Sequence, residues 1–414
     1  MNSLTQNTAL IGIDWADQTH AWHLQHGDSQ TAGTVEQDAD AIDDWINRLR
    51  KDHPDCQFAC AIETTKGALI SALLQHEDII IYPINPTAMA AYRKAFAHGG
   101  GKNDPGDAML LCQYLKHYIG RLRPLRQDQP LTRKLAALAE DRRRLVDQRT
   151  AHCNELKAVL KSYFPEVLKL EAARIYADFI TTFLLKYPSL AAAKKAGAAK
   201  LRKLFYGIGT RAKADKRVEL LLQSTPLSND PTLNQTCAVR VTALAMLIKT
   251  YNAQIRIYDN LIAEAVVKHE DYVIFSSLPG ASDLTHSRMI AAMGDDRSRY
   301  PDASSLQAAS GIAPLTTQSG KQRFVSARWA CTKFFKQTFH EYAGLSIAKS
   351  RWAKAYYQQL RDKGKDPHTA KRALAYKWQR IIFRCWKERV PYDEAKYIQR
   401  LKETGSPLYK LIET

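Results

Sequence analysis

The stretch ALIGIDWADQTHAW, from Ala9 to Trp22, decides how the N-terminal part of the chain is interpreted. Leu10 to Ile13 is an apolar run that ends at Asp14, and His20 to Leu24 alternates apolar with polar side chains. Short apolar runs and strict alternation are typical of β-strands. The stretch therefore predicts two strands, with the carboxylate of Asp14 at the end of the first.

Further strands and helices follow in an α/β order. The sequence predicts a polar helix over about 39–50, a strand from Phe58 to Ile62 ending at Glu63, a helix over about 67–75, and a strand from Ile79 to Pro83. After the glycines at 99–101, another helix is predicted to begin near Asp104 and to continue to about Tyr118. Mixed strands and helices in this order fit an α/β ribonuclease-H-like sheet, which we assign to residues 1–125.

Two long helices are predicted in the middle of the chain, over about 131–163 and 233–268. The second carries apolar residues at heptad spacing, which indicates helix association: Leu244, Ile248, Tyr251, Ile255, Tyr258, Ile262 and Ala265. We therefore predict a long helical coiled-coil region over 126–270, whose helices pair with each other or with another protomer. A basic insertion at about 170–225, rich in alanine and lysine, contains no recognisable motif.

A third domain, mainly α-helical, is predicted over 271–414. It opens with Leu278-Pro279-Gly280 before a helix, a turn in which glycine lets backbone amides approach a phosphate. From Ser326 onward the sequence is predicted to be helical, and it interleaves aromatic with basic side chains. Such a composition suits a nucleic-acid surface, with about half of the aromatic side chains forming a local core.

The charge distribution separates the N-terminal domain from the rest. The whole chain has a net charge of +18, with 45% hydrophobic and 25% charged residues, a globular composition. Residues 1–110 contain 7 Lys or Arg against 15 Asp or Glu, whereas the remaining residues contain 53 against 27. The downstream part therefore predicts a polyanionic partner. A ribosome-associated or merely soluble basic surface is the alternative.

Several classes of protein are disfavoured by the sequence. The start MNSLTQNTAL lacks a basic leader, and no stretch approaches the roughly 18–20 apolar residues of a membrane span, so we predict a cytoplasmic protein. Seven scattered cysteines favour neither a disulfide framework nor a structural zinc, because only Cys56 and Cys60 lie close together.

Four carboxylates are candidates for a metal site: Asp14, Glu63, Asp104 and Asp107. The first two end strands, and the last two lie three residues apart on one helical face. Carboxylate oxygens suit hard cations such as Mg²⁺ or Mn²⁺, which can stabilise both oxygens of a phosphoryl displacement. The alternative is that these residues have structural roles. Asp104, which precedes Pro105, would cap the helix N-terminus, and Asp107 would interact with the helix dipole. Asp14 and Glu63 would then be ordinary residues at strand ends.

Ser319 is the candidate nucleophile, in the turn TTQSGKQR. A serine hydroxyl needs a base, a metal or a positive environment to react, and Lys321 and Arg323 could hold the scissile phosphate. The alternative is an ordinary Ser-Gly turn. We assign nucleic-acid contacts to this turn and to the helix after it: Gly320, Lys321, Arg323, Arg328 and Lys333.

A family resemblance decides between these alternatives. The segments IGIDWADQTHAW, AIETTKGAL, YPINPTAMAAYRKAF, GKNDPGDAMLL, SLPGAS and LQAASGIAPLTTQSGK resemble the DEDD transposases of insertion-sequence family 110. They follow in order across nearly the whole chain, and the match is weakest at 165–235. The turn at Leu278 departs from the family in lacking a second glycine.

The resemblance implies the following site and partners. The N-terminal domain would be RuvC-like, with divalent metal on Asp14, Glu63, Asp104 and Asp107, and Ser319 would form a phosphoserine linkage to DNA. A structured noncoding bridge RNA would pair with donor and target duplex DNA. The protein would act at the bacterial nucleoid as a homo-oligomer, a dimer or a tetramer, whose active sites combine one protomer's carboxylates with another's serine.

Two other functions stay open at this point, and a third is disfavoured. One is a metal-dependent Holliday-junction resolvase, or a DNA invertase without an RNA guide, in which Ser319 is only a turn residue. Another is a non-catalytic nucleic-acid scaffold. An actin-like ATPase is disfavoured, because the glycine and threonine expected after Asp14 are missing, and the chain has no Walker loop.

Overall fold

The computed structural model describes residues 7–96, 104–171, 174–209, 211–320, 322–329 and 331–413. Its contacts divide the chain into two compact units, Met1–Gln127 and Asp128–Thr414. The predicted domain boundaries at 125 and 270 stay predictions. Among the described residues, no helix is both long and apolar enough to span a membrane.

The first unit is built on a five-stranded mixed sheet with the strand order β3-β2-β1-β4-β5. Strand β1 is antiparallel to β2 and parallel to β4, β2 is antiparallel to β3, and β4 is parallel to β5. The strands are β1 (Thr8–Asp14), β2 (Thr19–His26), β3 (Ser29–Glu36), β4 (Gln57–Ile62) and β5 (Ile79–Pro83). This mixed sheet confirms the predicted α/β fold, and its order fits a ribonuclease-H-like domain.

Four helices cover the two faces of this sheet: α1 (Ala39–Asp52), α2 (Ala68–Leu73), α3 (Pro86–Phe96) and α4 (Asp104–Tyr118). Successive strand residues point to opposite faces. Ile11 and Ile13 accordingly share one core with α1 and α2, whereas Leu10 shares the other with α3 and α4. The central strand β1 is therefore buried on both sides, which explains its nearly continuous apolar sequence.

The second unit begins with helices that pack around a long antiparallel pair, α5 (Pro130–Tyr163) and α10 (Pro231–Val266). Between them lie α6 (Glu166–Glu171), α7 (Asp178–Lys186), α8 (Leu190–Gly207) and α9 (Ala214–Gln223). Arg142 pairs with Asp259 at 2.5 Å, and Arg240 pairs with Glu155 at 2.6 Å. The long helices thus pair within the chain, while the coiled-coil assignment stays a prediction.

The C-terminal part of this unit is mainly helical, as predicted. Its helices are α11 (Tyr272–Ser276), α12 (Asp283–Met293), α13 (Ala303–Ala309), α14 (Lys333–Ser346), α15 (Arg351–Asp362), α16 (Pro367–Glu388), α17 (Glu394–Glu403) and α18 (Pro407–Glu413). Trp352, Trp378 and Trp386 are fully buried at the centre of their core. Leu135 from α5 and Ala265 from α10 also enter this core, so the long pair joins both helical parts of the unit.

An exposed hairpin interrupts these helices, formed by β6 (Leu315–Ser319) and β7 (Gln322–Ser326). The prediction that the chain is helical from Ser326 onward is wrong for the first residues, because Ser326 ends β7 and α14 begins only at Lys333. Every residue of both strands is exposed, and Phe324 keeps 61% of its surface. A two-stranded hairpin has little stability alone, so packing against another molecule would stabilise it.

Candidate active site

Asp14 and Glu63 lie next to each other at one end of the sheet. Ile13 in β1 is the register partner of Ile62 in β4, and the two carboxylate residues directly follow these partners. Both residues are half-buried. Because parallel strands end at the same edge, the sheet brings two residues that are far apart in sequence to neighbouring positions.

Helix α4 crosses β1 at Gly12. A Cβ atom at this position would overlap the carbonyl oxygen of Ala108 and the amide nitrogen of Cys112, so only glycine allows this approach. Asp14 lies two residues beyond Gly12 and therefore points to the same face of the sheet as α4. Asp107 precedes Ala108 on that helix, which places it on the face towards which Asp14 points.

Asp104 and Asp107 differ in their surroundings. Both lie in the first turn of α4, where a carboxylate interacts favourably with the helix dipole. Asp104 is exposed, whereas Asp107 is only 5% exposed. Asp107 Oδ1 forms an ion pair with Arg93 Nη2 of α3 at 2.9 Å. Arg93 was not singled out from the sequence, because a lone arginine on a helix carries no distinguishing pattern.

The donor chemistry of these residues fits a hard divalent cation, because all four candidates offer carboxylate oxygens. Among the described residues, no three His, Cys, Asp or Glu side chains are grouped closely enough to hold a metal ion. In this structure the Asp107 carboxylate is engaged by Arg93 instead. The fold thus places three of the four carboxylates at one end and face of the sheet, without gathering them around a common centre.

Ser319 is the last residue of β6, directly before the hairpin turn. It pairs with Gln322 across the hairpin. Gly320 has φ +58°, a left-handed conformation that glycine adopts without strain and that such turns require. Ser319 is exposed, and its hydroxyl is accessible to a large substrate.

The predicted nucleic-acid residues lie on or near this hairpin. Arg323 is exposed on β7 opposite Gln318, and Lys333 is exposed at the start of α14. Arg328 is half-buried between them, and Lys321 lies outside the described residues. Trp329, which is 85% exposed, adds an aromatic surface to the same segment. The hairpin and its flank therefore present basic and aromatic side chains together.

The turn at Leu278-Pro279-Gly280 has a packing explanation. Gly280 has φ +80°, and a Cβ atom there would lie 2.8 Å from the carbonyl oxygen of Leu345. The glycine is therefore required where the turn packs against α14. This contact accounts for the residue without a bound phosphate.

A hydroxyl, an imidazole and a carboxylate also meet at the start of α5, in a buried cluster. Thr132 Oγ1 lies 2.8 Å from His269 Nε2 and 2.7 Å from Asp295 Oδ1. The amide of Asp271 donates to His269 Nδ1, so the ring proton is on Nε2 and the imidazole donates to the threonine. The histidine therefore cannot act as a base towards this hydroxyl, and the cluster is structural.

All seven cysteines are free in the structure. Burial raises the pKa of the Cys60 thiol, and it raises that of Cys112 to about 11. Buried thiols with raised pKa values stay protonated and are poor metal ligands. The expectation that the chain has no disulfide framework stays a prediction.

Comparison with known proteins covers both candidate regions. Residues 11–165 match the DEDD transposase family of IS110, and residues 272–358 match the transposase family IS116/IS110/IS902. The first stretch contains all four carboxylates, and the second contains Ser319.

Three relatives agree with these matches, two of them over nearly their whole length. A Streptomyces coelicolor protein named as the mini-circle transposase for IS117 is 28% identical over 96% of this chain and 99% of its own length. An uncharacterised 42 kDa protein of insertion element IS900 from Mycobacterium paratuberculosis is 24% identical over 93% of this chain and 97% of its own. An uncharacterised 43.6 kDa protein of insertion element IS110, also from Streptomyces coelicolor, is 23% identical over 71% and 73%.

Proposed function

The chain belongs to the IS110 family of transposases, and from that premise we propose that it cuts and rejoins DNA through a covalent bond to Ser319. The observation that carries the proposal is the position of this serine. Ser319 ends an exposed strand directly before the left-handed Gly320, at the tip of a hairpin with basic and aromatic side chains. Such a tip can reach a phosphate within a duplex, which a serine in a closed pocket cannot.

The covalent step conserves the number of phosphate ester bonds. Attack by the Ser319 oxygen forms a bond to phosphorus, breaks the bond from phosphorus to a deoxyribose oxygen, and transfers the hydroxyl proton to that leaving oxygen. Attack by the hydroxyl of a second strand reverses these changes and releases the serine. Strands are therefore rejoined without ATP, which agrees with the missing Walker loop.

Asp14, Glu63, Asp104 and Asp107 would hold the divalent cation, Mg²⁺ or Mn²⁺, that the DEDD family implies. When bound, such a cation stabilises negative charge on the phosphate and favours the serine alkoxide. The carboxylates supply the hard oxygen donors, and the half-buried positions of Asp14 and Glu63 limit the access of water. In the structure the Asp107 carboxylate pairs with the Arg93 guanidinium, and a cation held by Asp107 would replace this ion pair.

The proposal extends to a guide RNA and to an oligomer. A structured bridge RNA would pair with donor and target duplex DNA and would therefore hold the sequence specificity. Active sites would combine the carboxylates of one protomer with the serine of another in a homotetramer. The excess of basic over acidic residues after residue 110, 53 against 27, supports binding of nucleic acid by that part of the chain.

The test uses the full chain purified with its co-expressed nucleic acid. Bound RNA is sequenced, and the complex is incubated with matching duplex DNA and Mg²⁺ before denaturing electrophoresis. We expect a specific RNA and a DNA-linked protein band that Ser319→Ala abolishes while DNA binding is retained. Ser326→Ala, at the other end of the same exposed hairpin, is the matched control and should form the band.

Each other outcome of this experiment would contradict the assignment of Ser319 or favour one of the alternative functions. A DNA-linked band that persists in Ser319→Ala would contradict the assignment of the nucleophile. Cleaved DNA without a band would favour a hydrolytic junction resolvase. Strand exchange without any specific RNA would favour a DNA invertase, and neither RNA nor cleavage would favour a binding scaffold.

A further inference from the structure

The middle of the chain contains a long stretch without any carboxylate. Residues 179–214 include eight Lys or Arg and no Asp or Glu. This stretch lies outside both matched segments, 11–165 and 272–358. A transposase family match therefore does not account for this concentration of positive charge.

The fold of α7, α8 and α9 fixes which side of the stretch faces solvent. Leu201 and Phe205, one helical turn apart on α8, are fully buried in the core with Phe183. Lys200 and Lys203 are exposed on the same helix. The apolar face of α8 is thus used for packing, and its cationic face is left on the surface.

Two shallow depressions gather these cations. One is lined by Lys186 from the end of α7 together with Lys200 and Lys203. The other is lined by Arg202, Lys203 and Arg211, and both also include Gly207. Because they share Lys203, the two depressions form one continuous surface, here called the α8 basic face: Lys186, Lys200, Arg202, Lys203 and Arg211.

Little negative charge offsets this face. None of the described residues that line the two depressions is acidic. Asp215 lies beyond their edge and pairs with Arg202 at 2.7 Å. The Arg211 guanidinium lies 5.6 Å from the ring centroid of the exposed Tyr206, which orders that side chain on the surface. The other four cations, Lys186, Lys200, Lys203 and Arg211, line depressions without an acidic residue, and their mutual repulsion would be relieved by a polyanion.

We propose that the α8 basic face binds the phosphate backbone of duplex DNA without reading its sequence. The lysine ammonium is a point charge that contacts phosphates without distinguishing sequences. Sequence recognition depends instead on side chains such as arginine, asparagine or glutamine that hydrogen-bond to base edges in a groove. The face has three lysines and is only slightly concave, which suits the outside of a duplex. The proposal rests on the DNA-recombining function of the family, but not on Ser319 or on the carboxylates.

The test measures DNA affinity in the absence of catalysis. The full chain carrying Ser319→Ala is titrated against a labelled random-sequence duplex in metal-free buffer at several salt concentrations. Adding Lys186→Gln/Lys200→Gln/Lys203→Gln should make the salt dependence of log affinity shallower by about 3, since each phosphate contact contributes about 1. Affinity at roughly 0.1 M salt should fall about tenfold or more, equally for unrelated sequences.

Two controls separate this result from a general charge effect. Arg48→Gln/Lys51→Gln/Lys116→Gln removes the same charge from exposed positions of the first unit and should leave the slope unchanged. Lysine-to-arginine changes at the three tested positions should restore binding. All variants should keep the wild-type thermal unfolding midpoint, because the replaced side chains are exposed.

Two results would overturn the proposal. One is an unchanged salt slope in the triple glutamine variant. The other is a loss of affinity for a labelled RNA hairpin while duplex binding stays normal, which would make RNA the occupant. Neither result depends on adduct formation, so failure here is distinguishable from failure of the proposed function.

Discussion

Asp14 is the candidate metal ligand at the end of the central strand of the sheet. It ends the central strand, lies beside the residue that follows β4, and points to the face covered by α4. Strand pairing therefore fixes the backbone of Asp14, whereas Asp104 is exposed at the start of its helix.

We expect Asp14→Asn to abolish binding of Mn²⁺ and to lower metal-dependent DNA cleavage by about 100-fold or more, because asparagine keeps the shape but removes the charge. Titration calorimetry with Mn²⁺ alone measures the first effect independently of activity. Asp17→Asn, an exposed neighbour, is the control. Unaltered Mn²⁺ binding in Asp14→Asn would make Asp14 a simple strand end.

Gly320 permits a test of the hairpin tip at a single residue. Its φ is +58°, and an alanine in this left-handed conformation is strained by about 1–2 kcal/mol. Asparagine tolerates the same conformation. We expect Gly320→Ala to slow formation of the DNA-linked protein by about 5- to 30-fold, the factor that corresponds to this strain. Gly320→Asn should restore most of the rate.

The measurement is the rate of adduct formation, with thermal unfolding as the check on folding. Because both strands of the hairpin are exposed, neither variant should change the unfolding midpoint appreciably. Equal rates for the alanine variant and the wild type would show that the turn conformation does not position Ser319.

At the scale of elements, the close approach of α4 to β1 depends on one glycine. We expect Gly12→Ala to lower the free energy of unfolding of the first unit by about 1–3 kcal/mol, because the added methyl group meets the α4 backbone, which cannot move aside cheaply. Denaturant unfolding measures the change. Gly120→Ala, where a Cβ atom meets nothing within 4 Å, is the control and should be nearly neutral.

Strongly patterned elements could be predicted from the sequence. The predicted strand Ile79 to Pro83 and the helix from Asp104 to Tyr118 agree with β5 and α4, and both long helices agree within two residues at each end. These elements have apolar residues at regular spacing or a clear starting signal such as Asp104-Pro105. Whether such a segment forms a helix or a strand depends mainly on its local sequence.

Other elements could not be predicted because their signals are not local. Strand β3 reads SQTAGTVE, and only Val35 is buried, so pairing with β2 rather than composition makes it a strand. Helix α3 buries only Met89 and Tyr92. The β6–β7 hairpin buries nothing, and its strands lack the alternation of burial that sequence patterns reveal.

The same distinction applies to the candidate site. Asp14 and Glu63 were expected at strand ends, because each follows an apolar run, and the sheet places them there. The ion pair between Arg93 and Asp107 joins two helices that the sequence does not connect. A contact of that kind is set by tertiary packing, which composition and spacing do not determine.

At the scale of the whole molecule, the first unit has hydrophobic cores of its own. One core lies between the sheet and α1 and α2, and the other lies between the sheet and α3 and α4. We expect a fragment of residues 1–127 to unfold cooperatively, because a domain of this size buries enough apolar surface to fold alone. Circular dichroism during heating is the measurement, and a fragment without a cooperative transition would contradict this expectation.

The N-terminal region and the rest of the chain also differ in charge. The four candidate carboxylates belong to residues 1–110, where 15 Asp or Glu outnumber 7 Lys or Arg, whereas the β6–β7 hairpin and the α8 basic face lie in the basic remainder. An acidic region that would hold cations and a basic region that would bind nucleic acid have complementary tasks in the proposed recombination reaction.

The most direct test of the central claim is to locate the bond between the protein and DNA. The adduct formed with matching DNA and Mg²⁺ is digested with nuclease and protease, and the peptides are sequenced by mass spectrometry. We predict a nucleotide remnant attached through phosphate to Ser319. A remnant on any other residue, or cleaved DNA with unmodified Ser319, would contradict the account.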